Sequence, residues 1–518
     1  MIYWKGRFTL PLLWAVGTYS ESQVILKWSK QVKSEQVKSG ACVGTRPAYS
    51  STSRRCLRKP VPEPPRTAMF AMARTEFTFI NCKVSEMDKK ISGPNRLSAV
   101  EAARLLGRRE LTAEALVRAC LDRIAEREET VQAWAYIDER QALEQARALD
   151  RGAIRGLLHG LPVGVKDIFD TFDMPTQYGS PIYKGHRPVA DASSVALTRR
   201  AGAVILGKTV TTEFATFTPN KTRNPHNPVY TPGGSSSGSA AGVADWMMPL
   251  AFGTQTFGSV IRPASYCGVV GYKPTYNMLQ KSGVKPEADT LDTIGLMART
   301  VPDVALFAAA LTGFSHLQGA GLQANGAPRI GICRTYEWSR AQPETVSAME
   351  RAATALAAAG AKVSDLSLPA SFAGLLAAHQ EILWYEVSRC FVDEFMRHPG
   401  LLSAPLRECC AKGFAGNPSD YLNALEVGRA CRAQLNDAFG DCDVLLAPAA
   451  PGEAPQGLES TGDPVMNAVW TLLHAPCVTV PVATGPNGLP VGLQAVGRIG
   501  DDARTLACAQ WVHERLAQ

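Results

Sequence analysis

Residues 231–275 carry two short clusters of glycine and serine, and this stretch constrains the fold more than any other. The first cluster, GGSSSGS, occupies residues 233–239, and the second is the Gly258-Ser259 pair, which follows GTQTF at 253–257. Small residues allow one backbone segment to approach another segment or a ligand closely. The two clusters are separated by the length of a helix plus a strand. We therefore predict two hydroxyl-bearing turns that meet at one site.

Helical and strand patterns alternate on either side of this stretch. A capping box that begins at Ser98 precedes an apolar-periodic run. An apolar strand at 161–165 leads directly to Lys166. A strand, a helix and a second strand follow one another within residues 330–366, which is a βαβ pattern. We therefore predict one large α/β domain over residues 87–518.

Residues 1–86 differ in composition from the rest of the chain. The first 68 residues hold 12 Lys and Arg against 3 Asp and Glu, whereas the remainder holds 42 against 44. The basic balance of the protein therefore belongs to its N-terminal end, and the remainder offers no footprint for nucleic acid. We interpret residues 1–86 as a disordered or non-native N-terminal extension, with a transit peptide as the alternative.

Two familiar motifs are disfavoured by their context. GAVILGKT at residues 202–209 matches the phosphate-loop pattern, but its four middle positions are Ala-Val-Ile-Leu, which is a strand rather than a loop. GSSSG at residues 234–238 matches the nucleophile elbow with Ser236 at its centre, although the elbow requires an apolar strand directly before it. A proline-broken loop at 224–232 precedes it instead. We therefore predict a core strand that ends at a glycine for the first motif, and a tight turn before a helix for the second.

The cysteines and histidines are dispersed along the chain. The 13 cysteines show no C-x-x-C spacing, and the 8 histidines show no H-x-x-x-H or H-E-x-x-H spacing. These spacings mark common zinc sites, so we predict no metal ligands. An odd number of scattered cysteines is typical of a reducing compartment, and we expect a cytoplasmic protein.

Lys166 is the side chain that we expect to activate a serine. A serine hydroxyl is a poor nucleophile until a base takes its proton. Lysine acts as a base only when it is neutral, which near pH 7 requires about 4 kcal/mol from burial and environment. The apolar residues before Lys166 favour its burial. A surface lysine at a strand end, which composition alone favours, and a histidine base from another part of the chain are the alternatives.

Several separated segments resemble the amidase signature family. They occur in the family order, and the resemblance covers roughly residues 95–518. The similar segments are LPVGVKDIFDTFDMPTQYGS at 161–180, AGAVILGKTVTTEF at 201–214, GGSSSGSAAGVA at 233–244, GTQTFGSVIRPASYCGVVGYKPT at 253–275 and NGLPVGLQAVG at 487–497.

This resemblance implies a single large α/β domain with a mixed twisted β-sheet covered by α-helices. It also implies hydrolysis of amide bonds through an acyl-enzyme, by a Ser–cis-Ser–Lys triad without cofactor or metal. Matched to the family motifs, Lys166 is the general base, Ser235 is the bridging cis-Ser and Ser259 is the nucleophile. The implied partner is a small-molecule amide substrate. We expect binding to neither nucleic acid nor a membrane, and a homodimer is possible.

Further residues are expected to complete the site. The expected oxyanion hole consists of the backbone N–H groups of Thr256, Phe257, Gly258 and Ser259. Supporting or substrate-binding roles are expected for Gly233, Gly234, Gln255, Arg262 and Tyr178. Walls of the substrate pocket are expected from Tyr178 and from the regions 382–385 and 466–473.

Two positions depart from the family pattern. Gln255 stands where the family often has aspartate, and Phe257 stands where it normally has glycine or alanine. A ring two residues before Ser259 either crowds the acyl pocket or forms a wall that selects the substrate. Phe257 therefore leaves a weakened or non-catalytic member of the family as an alternative.

A second alternative is the A subunit of a tRNA-dependent amidotransferase, which is the glutaminase of that complex. That protein belongs to the same family, and it works within a complex to which it delivers ammonia. TTEFATF at 211–217 departs from the Asp-Glu-Phe-Ala-Met-Gly run of that glutaminase. We therefore rank a stand-alone amidase first.

Overall fold

Eleven strands form one mixed β-sheet in the computed structural model, which describes residues 93–318 and 326–516. In chain order the strands are β1 (Trp134–Ile137), β2 (Pro162–Lys166), β3 (Val204–Thr209), β4 (Leu250–Gln255), β5 (Val270–Lys273), β6 (Thr293–Ala298), β7 (Arg329–Cys333), β8 (Lys362–Leu366), β9 (Val444–Pro448), β10 (Cys477–Thr484) and β11 (Pro490–Val496). Across the sheet they lie in the order β1-β3-β2-β4-β6-β5-β10-β11-β9-β7-β8. β2 pairs in parallel with β3 and β4, β7 pairs in parallel with β8 and β9, and the other pairs are antiparallel.

Fourteen α-helices accompany the sheet in the described residues, which confirms the predicted α/β fold. They are α1 (Ala99–Gly107), α2 (Ala113–Val131), α3 (Glu139–Arg151), α4 (Ser193–Arg200), α5 (Ser237–Ala244), α6 (Ile261–Cys267), α7 (Val301–Thr312), α8 (Pro343–Ala358), α9 (Leu375–Cys390), α10 (Val392–Arg397), α11 (Ala404–Ala415), α12 (Pro418–Ala438), α13 (Val465–Leu472) and α14 (Asp502–Leu516). The first of them begins as the capping signal predicts, because the Ser98 hydroxyl accepts a hydrogen bond from the Glu101 N–H at 3.1 Å.

Strand β2 carries Lys166 into the interior of the protein. It lies between β3 and β4 and pairs with both in parallel. All five of its residues are buried, as is typical of a parallel strand with neighbours on both sides. Helix α5 packs against β2, β3 and β4. The turn that precedes α5 is therefore held close to the end of β2.

The segment that matches the phosphate-loop pattern contributes a core strand, as predicted, although β3 continues through Gly207 to Thr209. Lys208, the lysine of the pattern, is fully buried and forms an ion pair with Asp167 at 3.2 Å. Its Nζ also donates to the Phe169 carbonyl at 2.7 Å. Lys208 therefore supports the loop that follows Lys166 rather than a phosphate.

Three strands of the sheet are not among the predicted elements. They are β1, β5 and β6, and two of them, β1 and β5, have only four residues each, which is too short to show the alternation of a half-buried strand. The predicted extension at residues 1–86 lies outside the described residues.

Helix α5 packs so closely on the neighbouring strands that Gly238 has no room for a side chain. A Cβ added at Gly238 would lie 2.2 Å from the Ala133 carbonyl oxygen and 2.4 Å from the Val210 nitrogen. Gly238→Ala is therefore expected to lower the free energy of unfolding by about 1–3 kcal/mol, because backbone atoms must move. Gly107→Ala is the control, since a Cβ there meets no atom within 4 Å. Thermal midpoints measured at one scan rate check this, and equal midpoints for the two variants would contradict the packing described.

Candidate active site

Lys166 is fully buried at the end of β2. Its Nζ donates hydrogen bonds to Ser235 Oγ and to Thr254 Oγ1, each at 2.8 Å. Burial lowers the pKa of the Lys166 amine to about 7, because the charged form loses its hydration in the interior. The carboxyls of Glu287 and Asp292 act in the opposite direction and raise this pKa. The amine that contacts Ser235 is therefore partly in its neutral form near pH 7.

Ser235 lies in the tight turn before α5, and its backbone is held on several sides. The peptide bond between Gly234 and Ser235 is cis. Arg262 Nη2 donates to the Gly234 carbonyl oxygen at 2.8 Å. Gly233 has a φ of +81°, which favours glycine, and a Cβ on Gly234 would lie 2.6 Å from Thr461 Cγ2. The packing of this turn therefore requires both glycines.

Ser259 lies two residues before α6 and is 7% exposed. Its carbonyl oxygen accepts a hydrogen bond from the Ser236 N–H at 3.4 Å. Ser236 Oγ in turn accepts a hydrogen bond from the Thr254 N–H at 3.3 Å. The two Gly/Ser clusters therefore meet, as predicted. The Ser259 hydroxyl forms no hydrogen bond with any residue that the structure describes.

The backbone from Thr256 to Ser259 presents unpaired donors. Within the described part of the chain, the N–H groups of these four residues donate no hydrogen bond. Thr256 and Ser259 are nevertheless buried. Buried N–H groups without a partner are rare in folded proteins. The loop is therefore suited to bind an oxygen anion.

Gln255, which stands where the resemblance leads us to expect aspartate, forms hydrogen bonds through both ends of its side-chain amide. Its Nε2 donates to Thr471 Oγ1 at 3.0 Å. Its Oε1 accepts hydrogen bonds from the N–H groups of Val260 and Ile261, each at 3.0 Å. Ionised aspartate can only accept hydrogen bonds. Glutamine therefore binds the start of α6 and also joins it to α13.

Phe257 is half-buried, and its ring lies against helix α9. The ring centroids of Phe257 and His379 are 4.2 Å apart, with 40° between the ring planes. The next residue must be small, because a Cβ on Gly258 would lie 2.4 Å from Asn467 Oδ1. The predicted effect of Phe257 on the acyl pocket stays a prediction.

Tyr178 belongs to an aromatic cluster beside the loop that follows Lys166. Its hydroxyl donates to Asp170 Oδ1 at 2.9 Å, and its ring centroid lies 4.9 Å from that of Tyr183. Among the described residues it has no hydrogen bond to any of the three predicted catalytic side chains. Its role in substrate binding stays a prediction.

Two carboxyls for which the sequence carries no signal, the buried Glu287 and the half-buried Asp292, line a cavity of about 510 Å³ beside Thr254 and Thr256. Asp292 Oδ1 accepts a hydrogen bond from Thr256 Oγ1 at 2.5 Å, and Asp292 Oδ2 accepts one from the Glu287 N–H at 2.8 Å. Burial raises the pKa of Glu287 to about 8 and that of Asp292 to about 6. Two carboxyl groups with raised pKa values therefore lie near Lys166.

Neither a metal centre nor a membrane span occurs among the described residues. No group of three or more His, Cys, Asp or Glu is placed there to hold a metal ion. The ten cysteines in this part of the chain are all free, and nine of them are buried. None of the helices given above is long and apolar enough to cross a membrane.

Comparison of sequences places these features in a known family. The model of the family described as Amidase matches residues 115–506. The A subunit of the glutamyl-tRNA(Gln) amidotransferase of Agathobacter rectalis is 31% identical over 77% of this chain and 90% of its own length. The protein of the same name from Acidothermus cellulolyticus is 35% identical over 79% of this chain and 92% of its own length.

Solved structures of the same architecture agree with the sequence matches. A crystal structure described as that of an amidase is 33% identical and has a TM-score of 0.75, with 81% of this chain and 100% of that chain covered. Native peptide amidase from Stenotrophomonas maltophilia is 29% identical and has a TM-score of 0.69, with 82% and 97% covered. The chain therefore belongs to the amidase family.

Proposed function

We propose that this protein is an amidase that hydrolyses a carboxylic acid amide through an acyl-enzyme on Ser259, with Ser235 as the bridging cis-Ser and Lys166 as the general base. The observation that carries the proposal is the 2.8 Å contact between the buried Lys166 Nζ and Ser235 Oγ. The free Ser259 hydroxyl and the unpaired N–H groups before it support the same assignment. Family membership supports hydrolysis of an amide C–N bond. The assignment of Lys166, Ser235 and Ser259 as the catalytic triad is our proposal.

We infer the proton path from the contact between Lys166 and Ser235 and from the triad that the family resemblance implies. Neutral Lys166 accepts a proton from the Ser235 hydroxyl, and Ser235 accepts the proton of Ser259 as Ser259 Oγ attacks the amide carbonyl carbon. The N–H groups of residues 256–259 donate to the oxyanion that forms. The proton returns through Ser235 to the amine nitrogen as the C–N bond breaks. Water then attacks the acyl-enzyme by the same proton route and releases the acid.

A second candidate function is that of the A subunit of a glutamyl-tRNA(Gln) amidotransferase. Two relatives at 31% and 35% identity carry that name. The similarity to peptide amidase and the TTEFATF segment at 211–217 favour the stand-alone enzyme, which we rank first. Turnover of simple amides by the purified chain alone would support the stand-alone enzyme. Co-purification with other components of an amidotransferase, together with ammonia release from glutamine only in their presence, would support the second candidate.

Ser259→Ala is expected to abolish amide turnover and labelling by a fluorophosphonate probe, because the hydroxyl that forms the covalent bond is lost. Turnover should fall by at least about 10³-fold. Ser237→Ala is the matched control, since the Ser237 hydroxyl lies in the first cluster but donates to the Val210 carbonyl at 3.3 Å. Mass spectrometry of the labelled peptide locates the probe. A wild-type protein that never takes up the probe would support the non-catalytic alternative instead.

The kcat/KM for an amide is expected to rise with pH around a midpoint near 7, because Lys166 acts only in its neutral form and burial lowers its pKa to about 7. On the acid side kcat/KM should fall about tenfold for each pH unit. The measurement is a profile from about pH 5 to about pH 9, with thermal midpoints to show that the protein stays folded. A profile that is flat across this range would contradict a general base with a lowered pKa.

A further inference from the structure

Two side chains from different helices hold the carbonyl groups of the loop before Ser259. The Thr256 carbonyl oxygen accepts a hydrogen bond from Nε2 of His379, on α9, at 2.8 Å. The Phe257 carbonyl oxygen accepts one from Oγ1 of Thr471, on α13, at 2.8 Å. These contacts fix two successive peptide planes of the loop.

The geometry of a trans peptide connects these contacts to the opposite face of the loop. Within one peptide unit the C=O and N–H groups point in opposite directions. The Thr256 carbonyl shares its plane with the Phe257 N–H, and the Phe257 carbonyl shares its plane with the Gly258 N–H. Because His379 and Thr471 hold the two carbonyls, both N–H groups point away from these side chains. Both are among the donors that have no partner within the described part of the chain.

The state of His379 argues that its role goes beyond packing. The side chain is fully buried, and burial lowers the pKa of its imidazole to about 4, so the ring is neutral near pH 7. A carbonyl only accepts hydrogen bonds, so Nε2 carries the proton. Nδ1 is then an acceptor, buried without a partner among the described residues, which costs about 1–3 kcal/mol. A leucine would avoid that cost but would leave the Thr256 carbonyl oxygen without its donor, so the hydrogen bond to the loop is what this histidine supplies.

The two departures from the family pattern belong to the same contact network. The Phe257 ring packs on the His379 ring at 4.2 Å. Gln255 Nε2 donates to the Thr471 hydroxyl at 3.0 Å, which leaves the hydroxyl proton for the Phe257 carbonyl. Residues that differ from the usual family sequence therefore contact both side chains that hold the loop.

We propose that His379 and Thr471 are positioning residues that aim the N–H groups of Phe257 and Gly258 at the oxyanion, with the Phe257 ring holding His379 in place. The inference rests on the proposed function, because it assumes that an oxyanion forms at this loop. Neither side chain touches the reacting atoms, and each acts through one carbonyl group.

Two pairs of variants distinguish the loss of a hydrogen-bond donor from a change in side-chain volume. His379→Leu removes the donor to Thr256, whereas His379→Gln keeps an N–H donor at similar reach. Thr471→Val removes the hydroxyl, whereas Thr471→Ser keeps it. For a simple amide that wild type hydrolyses, we expect kcat to fall about 10- to 100-fold in the Leu and Val variants, with KM changed less than about threefold. The Gln and Ser variants should recover most of kcat, and the rate of fluorophosphonate labelling should follow kcat.

The outcomes distinguish this inference from the proposed function. Wild type that neither turns over amides nor takes up the probe would overturn the proposed function itself. Active wild type with unchanged kcat in His379→Leu and Thr471→Val would overturn only the positioning roles. Equal losses in the Leu and Gln variants, or a loss that appears in KM alone, would also overturn them. Thermal midpoints show which variants are folded, and the Thr471 pair decides the matter if His379→Leu does not fold.

Discussion

The hydrogen bond between the buried Lys166 amine and the Ser235 hydroxyl is the interaction on which the rest of the site depends. It requires a strand that delivers a lysine into the interior, and β2 does so as a fully buried strand between two parallel neighbours. It also requires a turn that brings Ser235 to the end of that strand. Gly238 allows α5 to approach the sheet closely, and Arg262 binds the Gly234 carbonyl, so both act on the position of that turn.

The electrostatic surroundings of Lys166 combine two opposing effects. Burial disfavours the protonated amine, whereas the carboxyls of Glu287 and Asp292 favour it. Desolvation raises the pKa values of Glu287 and Asp292 themselves, which reduces the negative charge that they place near the amine. The lysine is therefore held close to the balance between its two forms. A base in that state accepts a proton from a serine hydroxyl and returns it to an amine within one catalytic cycle.

Local patterns in the sequence explain much of the fold and of the candidate site. The strand that ends at Lys166 and the two Gly/Ser turns are predictable because apolar runs and small residues are local signals. His379 is not, because it reaches the loop from a position 123 residues away and nothing in its own helix marks it. Thr471 lies in the region 466–473 that we expect to form a pocket wall, but its hydrogen bond to the Phe257 carbonyl, across 214 residues, has no local signal. Glu287 and Asp292 lie in an irregular segment between β5 and β6, and only the folded chain shows that they line one cavity beside Thr254.

The central claim is that Lys166 is a buried amine with a lowered pKa, ready to act as a base. Its most direct test is an NMR titration of protein labelled at the lysine side chains, with the Lys166 signal assigned by comparison with Lys166→Met. The account predicts that this signal titrates near pH 7, well below an ordinary lysine, because burial dominates over the two carboxyls. A Lys166 signal that titrates with the surface lysines, at about pH 10.4, would contradict the account.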